Sequence, residues 1–183
     1  MSEWKPYKLE HVIESANTGL DAIQRAPIVQ EDTGIRCLRI QDISQSKEFQ
    51  NWGFTKVRDD NFKRFQLIEG DLMIARTGET VGVNKYIDRT YQSVYNNGLI
   101  RIRFNRDIIF PKFGYYHFQT DKYKAHINGA ARGTSTQPNM KIQALLDFEF
   151  SIPDIPTQQE IASILSSLDD KIELNLQMNQ TLE

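Results

Sequence analysis

The sequence predicts an α+β fold in two parts. A globular domain, residues 1–153, is expected to hold a twisted, mostly antiparallel sheet with short helices, and a long helix, residues 154–183, follows it. Short apolar or alternating runs separated by Gly and Asn turns predict the strands. Apolar residues at helical spacing predict the short helices. In the tail that spacing continues after two prolines, which predicts a helix that pairs with another helix as a coiled coil.

The composition argues against several classes of protein. No apolar stretch approaches the roughly 20 residues that a membrane span needs, and residues 1–7 lack a secretory pattern. The single cysteine, Cys37, leaves no disulfide within the chain, so a reducing cytoplasm is the expected location. With three scattered histidines and one cysteine, we expect neither a metal site nor a cofactor.

The charge is unevenly distributed along the chain, although the net charge is only -2. Residues 61–150 hold 13 Lys/Arg against 8 Asp/Glu, a net +5, whereas residues 151–183 hold 1 against 6, a net -5. This pattern is compatible with a central surface that meets an anion and a tail that meets something else. On the charge distribution alone, an unevenly charged, solvated surface is the preferred explanation.

The first half of the chain is expected to alternate short helices and strands. Residues 8–14 have apolar positions at i, i+3 and i+4, which predicts a short helix. Residues 36–43 alternate loosely and predict a strand. Asp59 and Asp60 are expected to cap a short helix that runs through Phe65.

The middle of the chain contains the clearest strand patterns. The apolar run at residues 72–75 predicts a buried strand, and residues 81–87 predict a second one. Asn96-Asn97-Gly98 is a strong turn signal. After it, residues 99–104 alternate cleanly, with Arg101 and Arg103 on one face, which predicts a half-buried strand with a basic face.

A helix is expected to begin at Pro111 and to stop at Gly129. Residues 129–139 are small and polar without a core pattern, so they predict a loop. Asn139 is expected either to cap a short helix through Leu146 or to act as a polar recognition residue. A strand at residues 148–152 then leads to the tail.

The tail carries the most legible pattern. Thr157 and Glu160 have the spacing of a capping box. Behind them a seam with heptad spacing predicts a helix-helix interface, although packing of the helix on its own domain stays open. The seam comprises Ile161, Leu165, Leu168, Ile172, Asn175, Asn179 and Leu182. Because the pattern still runs at Glu183, we expect a truncated chain or a fragment of a longer protein.

The string Ile-Pro-Asp-Ile-Pro-Thr-Gln-Gln-Glu-Ile-Ala at residues 152–162 resembles the start of the helical region in specificity subunits of Type I restriction-modification enzymes. Weaker matches are Gly-Asp-Leu-Met-Ile-Ala-Arg-Thr-Gly at residues 70–78, Thr-Gln-Pro-Asn-Met at residues 136–140, and Trp4 ahead of Lys8-Leu9. The resemblance covers nearly the whole chain, and its most specific part is the tail.

The resemblance implies a target-recognition domain followed by a spacer helix. In such subunits two of these units read the two halves of a split double-stranded DNA site. Their helices pack antiparallel, a methyltransferase subunit docks on the helices, and a restriction subunit completes the complex. This chain holds one unit, so we expect a homodimer through the C-terminal helix or a second recognition domain in a longer chain.

Under this interpretation the chain binds DNA and catalyses nothing. Basic side chains would neutralise phosphates, and Arg, Asn and Gln side chains on loops would read bases, each worth about 1–3 kcal/mol. Arg132→Ala is expected to weaken the free energy of specific DNA binding by about 1–3 kcal/mol. Asn96 and Asn97 could instead serve only the turn. The candidate DNA-binding residues are Arg76, Thr77, Lys85, Asn96, Asn97, Arg101, Arg103, Arg132, Thr134, Ser135, Gln137 and Asn139, with Arg89 and Lys112 as further phosphate contacts.

Two other classes of protein fit the sequence less well. An adenine methyltransferase would need a glycine-rich cofactor loop and an Asn-Pro-Pro-aromatic motif, and the sequence contains neither. A protein-interaction module that dimerises through its coiled coil without binding DNA would not need the basic centre and the Arg- and Asn-bearing loops.

Overall fold

The computed structural model describes residues 3–131 and 139–182, and at residues 130–131 and 180–182 it describes the backbone only. The strands are β1 Lys5–Lys8, β2 Ile13–Thr18, β3 Ile28–Val29, β4 Arg36–Leu38, β5 Gly53–Thr55, β6 Leu72–Ala75, β7 Asn84–Tyr86, β8 Ser93–Tyr95, β9 Leu99–Phe104 and β10 Glu149–Ile152. The α-helices are α1 Ile40–Ser44, α2 Asp59–Phe65, α3 Pro111–His117, α4 Asp121–Ala131, α5 Ile142–Leu146 and α6 Ile155–Leu182. Short 3-10 turns lie at Leu9–His11 and Phe49–Asn51.

A four-stranded antiparallel sheet forms the centre, in the order β2-β9-β6-β7. Strands β6 and β9 lie inside this sheet and are buried at almost every position. Successive side chains of a strand point to opposite faces of the sheet, and both faces of β6 are covered. All four residues of β6 are therefore apolar. The central sheet therefore has a core on each side.

The first core lies between the central sheet and the helices α3 to α6. Leu72, Ile74, Ile102 and Phe104 contribute the sheet face, and Phe118, Phe148 and Phe150 belong to the ring cluster packed on it. A two-stranded antiparallel sheet of β1 and β10 closes this side. This core ties the start of α6 to the globule through Ala162, which is fully buried.

The second core lies on the opposite face and is covered by a second sheet, β3-β5-β4-β8, with helices α1 and α2. Only the β4-β8 pair in this sheet is parallel. Trp52, Leu38 and Tyr95 fill this core together with Met73 and Leu99 from the central sheet. Cys37 is also buried there, and burial raises the pKa of its thiol to about 12.

Helix α6 is anchored to the globule at its beginning and projects beyond it. Asp154 caps the helix, since its Oδ1 accepts the N–H of Thr157 at 2.9 Å. The buried Gln158 amide accepts the N–H of Phe110 at 2.8 Å and donates to the carbonyls of Ile108 and Pro153 at 3.1 and 2.9 Å. Farther along, the Tyr116 hydroxyl donates to Asp169 Oδ2 at 2.7 Å. From Ser167 to Asn179 every side chain is exposed.

The predicted fold class is confirmed: α+β, mostly antiparallel, with a long C-terminal helix. The sheet prediction needs refinement, because the strands form three sheets around two cores. The strands at residues 72–75, 99–104 and 148–152 and the helix ending at Phe65 were predicted within a residue or two.

Several local predictions were wrong. Residues 8–14 contain a 3-10 turn and the start of β2, and the predicted strand at residues 36–43 becomes helix α1 from Ile40. The predicted helix after Pro111 is two helices, because the Thr120 hydroxyl accepts the N–H of Tyr123 and starts α4 anew. Asp154, three residues earlier than Thr157, caps the tail helix.

Candidate nucleic-acid interface

Several strand ends meet at one edge of the globule, which we call the loop edge. It comprises the ends of β2, β6 and β8, the start of β9 and the loops between them. Backbone hydrogen bonds join these loops: Arg76 N–H to Gly98 O at 3.0 Å, Asn97 N–H to Leu20 O at 2.8 Å, and Gly19 N–H to Leu99 O at 3.3 Å. Three loops from distant parts of the sequence are thereby held as one surface.

Arg76 and Asn139 form a polar clamp at the loop edge. The Arg76 Nη2 donates to Asn139 Oδ1 at 3.0 Å, and the Met140 N–H donates to the Arg76 carbonyl at 2.8 Å. Thr77 pairs with Asn139 in an isolated antiparallel bridge. Asn139 therefore orients a guanidinium, and the alternative in which it caps α5 is wrong, because Lys141 occupies that position.

Asn96 and Asn97 have different roles in the turn before β9. The Asn96 Oδ1 accepts the N–H of Gly98 at 3.2 Å, so this side chain holds the turn. Asn97 is exposed. The turn packs tightly on Gly19, where a Cβ atom would lie 2.3 Å from the Tyr95 carbonyl oxygen, so only glycine permits this approach. The side-chain amide of Asn97 is therefore exposed to solvent, and the backbone of its turn is held in place by Asn96 and by the close packing on Gly19.

Arg101 and Arg103 do not form an open basic face, which corrects the expectation from the strand pattern. The second layer covers this face of the central sheet, leaving Arg101 only 4% exposed. Its guanidinium donates to the carbonyls of Arg64 and Gln66 at 3.4 and 3.2 Å, and burial lowers its pKa. Arg103 pairs in bidentate fashion with the buried Asp71 at 2.8 and 3.0 Å. Arg101 thus connects the central sheet to α2, and Arg103 connects β9 to the residue that precedes β6 in the same sheet.

The other basic candidates lie away from the loop edge. Lys85 and Lys112 line a polar cleft between β7 and α3, and the Lys112 ammonium lies over the rings of Tyr86, Tyr115 and Tyr116. Arg89 is exposed and lies over the ring of Tyr91. Arg132, Thr134, Ser135 and Gln137 lie outside the described residues.

The sequence prediction missed one loop at this edge, residues 21–25, which follows Gly19 and Leu20. Leu20 forms an isolated bridge with Asn96 and so joins the loop to the asparagine turn. Ile23 is 86% exposed, and Gln24 and Arg25 are exposed beside it. The only signal in the sequence was the Gln-Arg pair shortly after a glycine, which is too common to single out.

The projecting part of α6 carries apolar side chains that nothing in the described chain covers. Leu168 and Ile172 of the predicted seam are 49% and 58% exposed. Ile161 and Leu165 are partly buried near the globule, Asn175 and Asn179 are exposed, and the side chain of Leu182 lies outside the described part. Ile164, Leu174, Leu176 and Met178 are also about half exposed or more. An exposed apolar stripe of this kind is typical of helices that pack against another surface.

Within residues 3–131 and 139–182, no helix has the length and apolar character that crossing a membrane would require.

Comparison with known proteins gives consistent results. The profile of the family described as Type I restriction modification DNA specificity domain matches residues 1–183. The specificity subunit of the Type I restriction enzyme HindI from Haemophilus influenzae is 28% identical over the whole chain, which covers 39% of that subunit. The MjaVIII specificity subunit of Methanocaldococcus jannaschii is 24% identical over 83% of the chain and 37% of its own length. The chain thus spans about two fifths of these relatives.

Solved structures share the fold. A Type I restriction-modification S subunit from M. genitalium superposes on 94% of the chain with a TM-score of 0.66, at 18% identity and over 40% of its own length. The HsdS subunit from Thermoanaerobacter tengcongensis superposes on 93% with a TM-score of 0.64, at 13% identity and over 38% of its length. At these identities the likeness concerns the fold alone.

Proposed function

This chain belongs to the family of Type I restriction modification DNA specificity domains, and on that premise we propose that it reads one half of a bipartite double-stranded DNA site. The globule, residues 1–153, would recognise the DNA, and residues 154–183 would form the spacer helix. Specificity in this proposal comes from side chains that contact base edges.

The observation that carries this proposal is the loop edge. Arg76 is held by Asn139, Thr77 lies beside it, and Asn97 is presented by a turn whose backbone is fixed by Asn96. An oriented guanidinium suits the O6 and N7 acceptors of guanine, and an amide suits adenine. Arg132, Thr134, Ser135 and Gln137 stay in the proposed set of DNA-binding residues on the ground of their sequence alone.

Phosphate binding would be shared among fewer residues than the sequence indicated. We assign it to Lys85, Arg89 and Lys112, which retain exposed or partly exposed charges. Arg101 and Arg103 are withdrawn from this set because their guanidinium groups hold the interior together. Fewer phosphate contacts imply a shallower dependence of affinity on salt concentration.

The exposed seam of α6 is the proposed pairing surface. Its partner would be the same helix of a second copy in a homodimer, or the corresponding helix of a second recognition domain in a longer chain. A methyltransferase subunit would dock on the paired helices, and a restriction subunit would join in the full complex. The chain itself would perform no catalysis and would work in the cytoplasm, where the DNA and these partners are.

An interaction module without DNA binding is the weaker alternative. It would use the coiled coil equally well, but it would give no reason for a guanidinium and amides to be oriented at one edge. The two proposals differ in one measurable property, which is affinity for a specific DNA sequence.

The test begins with selection from a random duplex library, using the chain with its cognate methyltransferase subunit. The recovered duplex then serves as the probe in a fluorescence anisotropy titration. Arg76→Ala and Asn97→Ala are each expected to lose about 1–3 kcal/mol of binding and to relax the choice of one base pair. Arg132→Ala is expected to behave in the same way.

The matched control is Arg106→Ala, which removes an arginine at the opposite end of β9, where its guanidinium donates to the Glu69 carbonyl. It should bind the selected duplex as the wild type does. Equal binding by all three loop variants and this control would refute the assignment of the loop edge.

A further inference from the structure

The loop at residues 21–25 is held rigidly by one carboxylate. The Asp21 Oδ1 accepts the backbone N–H groups of Ile23, Gln24 and Arg25 at 3.3, 2.7 and 3.4 Å. Its Oδ2 accepts the Arg25 Nε at 2.8 Å, and the Asp21 carbonyl accepts the N–H of Ala26 at 3.0 Å. The N–H of Gln24 is the main cause that lowers the pKa of Asp21 to about 2. The carboxylate therefore maintains this shape at neutral pH.

The rigid loop holds a large apolar side chain in solvent. Ile23 is 86% exposed, the highest exposure among the large apolar residues of the described chain. The neighbouring positions Leu20 and Ala26 are fully buried, so they anchor both ends of the loop in the second core. The hydrogen bonds from the backbone of residues 23–25 to Asp21 hold the loop in the conformation that leaves Ile23 in solvent.

Ile23 lies between two polar surfaces. On one side Leu20 joins the loop to Asn96 and Asn97 at the loop edge. On the other side Gln24 and Arg25 line a groove of about 540 Å³ together with Lys56 and Arg58. These three cations pair with Asp21, Glu31 and Asp60 on the exposed surface. Exposed pairs of this kind are weak, so a phosphate can compete for the cations.

We propose that Ile23 is a base-contacting residue that recognises the 5-methyl group of a thymine in the major groove, while the groove beside it holds a neighbouring phosphate. Thymine is the base that offers an apolar group among the polar base edges of the major groove, and apolar side chains are its usual partners. A rigid loop suits this role because the side chain loses little freedom on binding. This inference rests on the proposed function and adds a residue to it.

The experiment uses the selected duplex and the complex with the cognate methyltransferase subunit. Each thymine of the half-site is replaced in turn by deoxyuridine, which lacks only the methyl group. Affinity is measured for the wild type, Ile23→Ala and Ile23→Leu. At one thymine position, deoxyuridine is expected to weaken wild-type binding about four- to fifteenfold, which corresponds to the free energy of burying one or two methyl groups.

Ile23→Ala should show a similar loss with thymine and no additional loss with deoxyuridine at that position. Ile23→Leu should retain most of the affinity, because it keeps an apolar tip of the same size. Thermal unfolding of Ile23→Ala should match the wild type, since the side chain is exposed. If the losses caused by Ile23→Ala and by deoxyuridine fail to add at one thymine position only, the side chain and that methyl group are in direct contact.

Three outcomes would overturn the inference in distinguishable ways. If Ile23→Ala binds the selected duplex as tightly as the wild type, Ile23 does not contact DNA. If deoxyuridine weakens Ile23→Ala and the wild type equally at every position, Ile23 contacts something other than a thymine methyl. If selection recovers no specific duplex, the proposed function itself fails and takes this inference with it.

Discussion

Gln158 should be the main anchor of α6 to the globule. It belongs to the Gln-Gln-Glu-Ile-Ala string that gave the sequence its most specific resemblance. Its side chain is fully buried and makes three hydrogen bonds, to Phe110, Ile108 and Pro153. No other residue type has an acceptor and two donors at this reach, which accounts for glutamine at this position.

Gln158→Ala removes all three hydrogen bonds and leaves the Phe110 N–H without its acceptor. At about 1 kcal/mol for each net hydrogen bond and a further cost for a buried unsatisfied group, the loss of unfolding free energy is about 2–4 kcal/mol. For a chain of this length each kcal/mol lowers Tm by about 2–4 °C, so a decrease of about 5–15 °C is expected. Differential scanning calorimetry measures this directly.

Gln159→Ala provides the matched control, because Gln159 is the next residue of the same helix and is exposed. It should change Tm by no more than about 2 °C, as surface substitutions usually do. If Gln158→Ala and Gln159→Ala unfold at the same temperature, the reasoning that this amide anchors α6 is refuted.

Three further predictions follow from buried or exposed side chains. Burial lowers the pKa of His117 to about 4 in the folded chain, below the unfolded value near 6.5, so the unfolded state binds more protons in that window. The free energy of unfolding should therefore fall by about 1–3 kcal/mol between pH 6.5 and 4. Urea titrations at several pH values should show this fall in the wild type and not in His117→Phe. The double variant Leu168→Asp with Ile172→Asp should lose self-association in sedimentation while its circular dichroism still shows a folded globule. Lys171→Asp should still self-associate, and a monomeric wild type at high concentration would contradict the homodimer. Cys37 is buried with its thiol pKa raised to about 12, so maleimide should label it at least about a hundredfold more slowly in the folded chain than in urea, and equal rates would show that the second core is open.

The sequence predicted elements whose signals are local. The apolar run at residues 72–75, the alternation at 99–104 and the period of the tail each reflect which faces of one element are buried. The same local signals could not separate Asp154 from Thr157 as the cap of α6, since both are residues that cap well and lie three positions apart.

The sequence failed where the answer depended on distant contacts. The alternation of β9 shows that Arg101 and Arg103 share a face, but it does not show that a second sheet covers that face. Asn139 had a plausible local role as a cap, whereas its partner Arg76 lies 63 positions away. Ile23 has no periodic neighbours, so only the folded loop shows that it is held in solvent.

The central claim is that this chain distinguishes one DNA sequence from others, and an affinity ratio tests it most directly. The complex of the chain with its cognate methyltransferase subunit is titrated, at one salt concentration, against the selected duplex and against a duplex of the same composition in shuffled order. The proposed function predicts that the selected duplex binds at least about a thousandfold more tightly. Equal affinity for the two duplexes would contradict it.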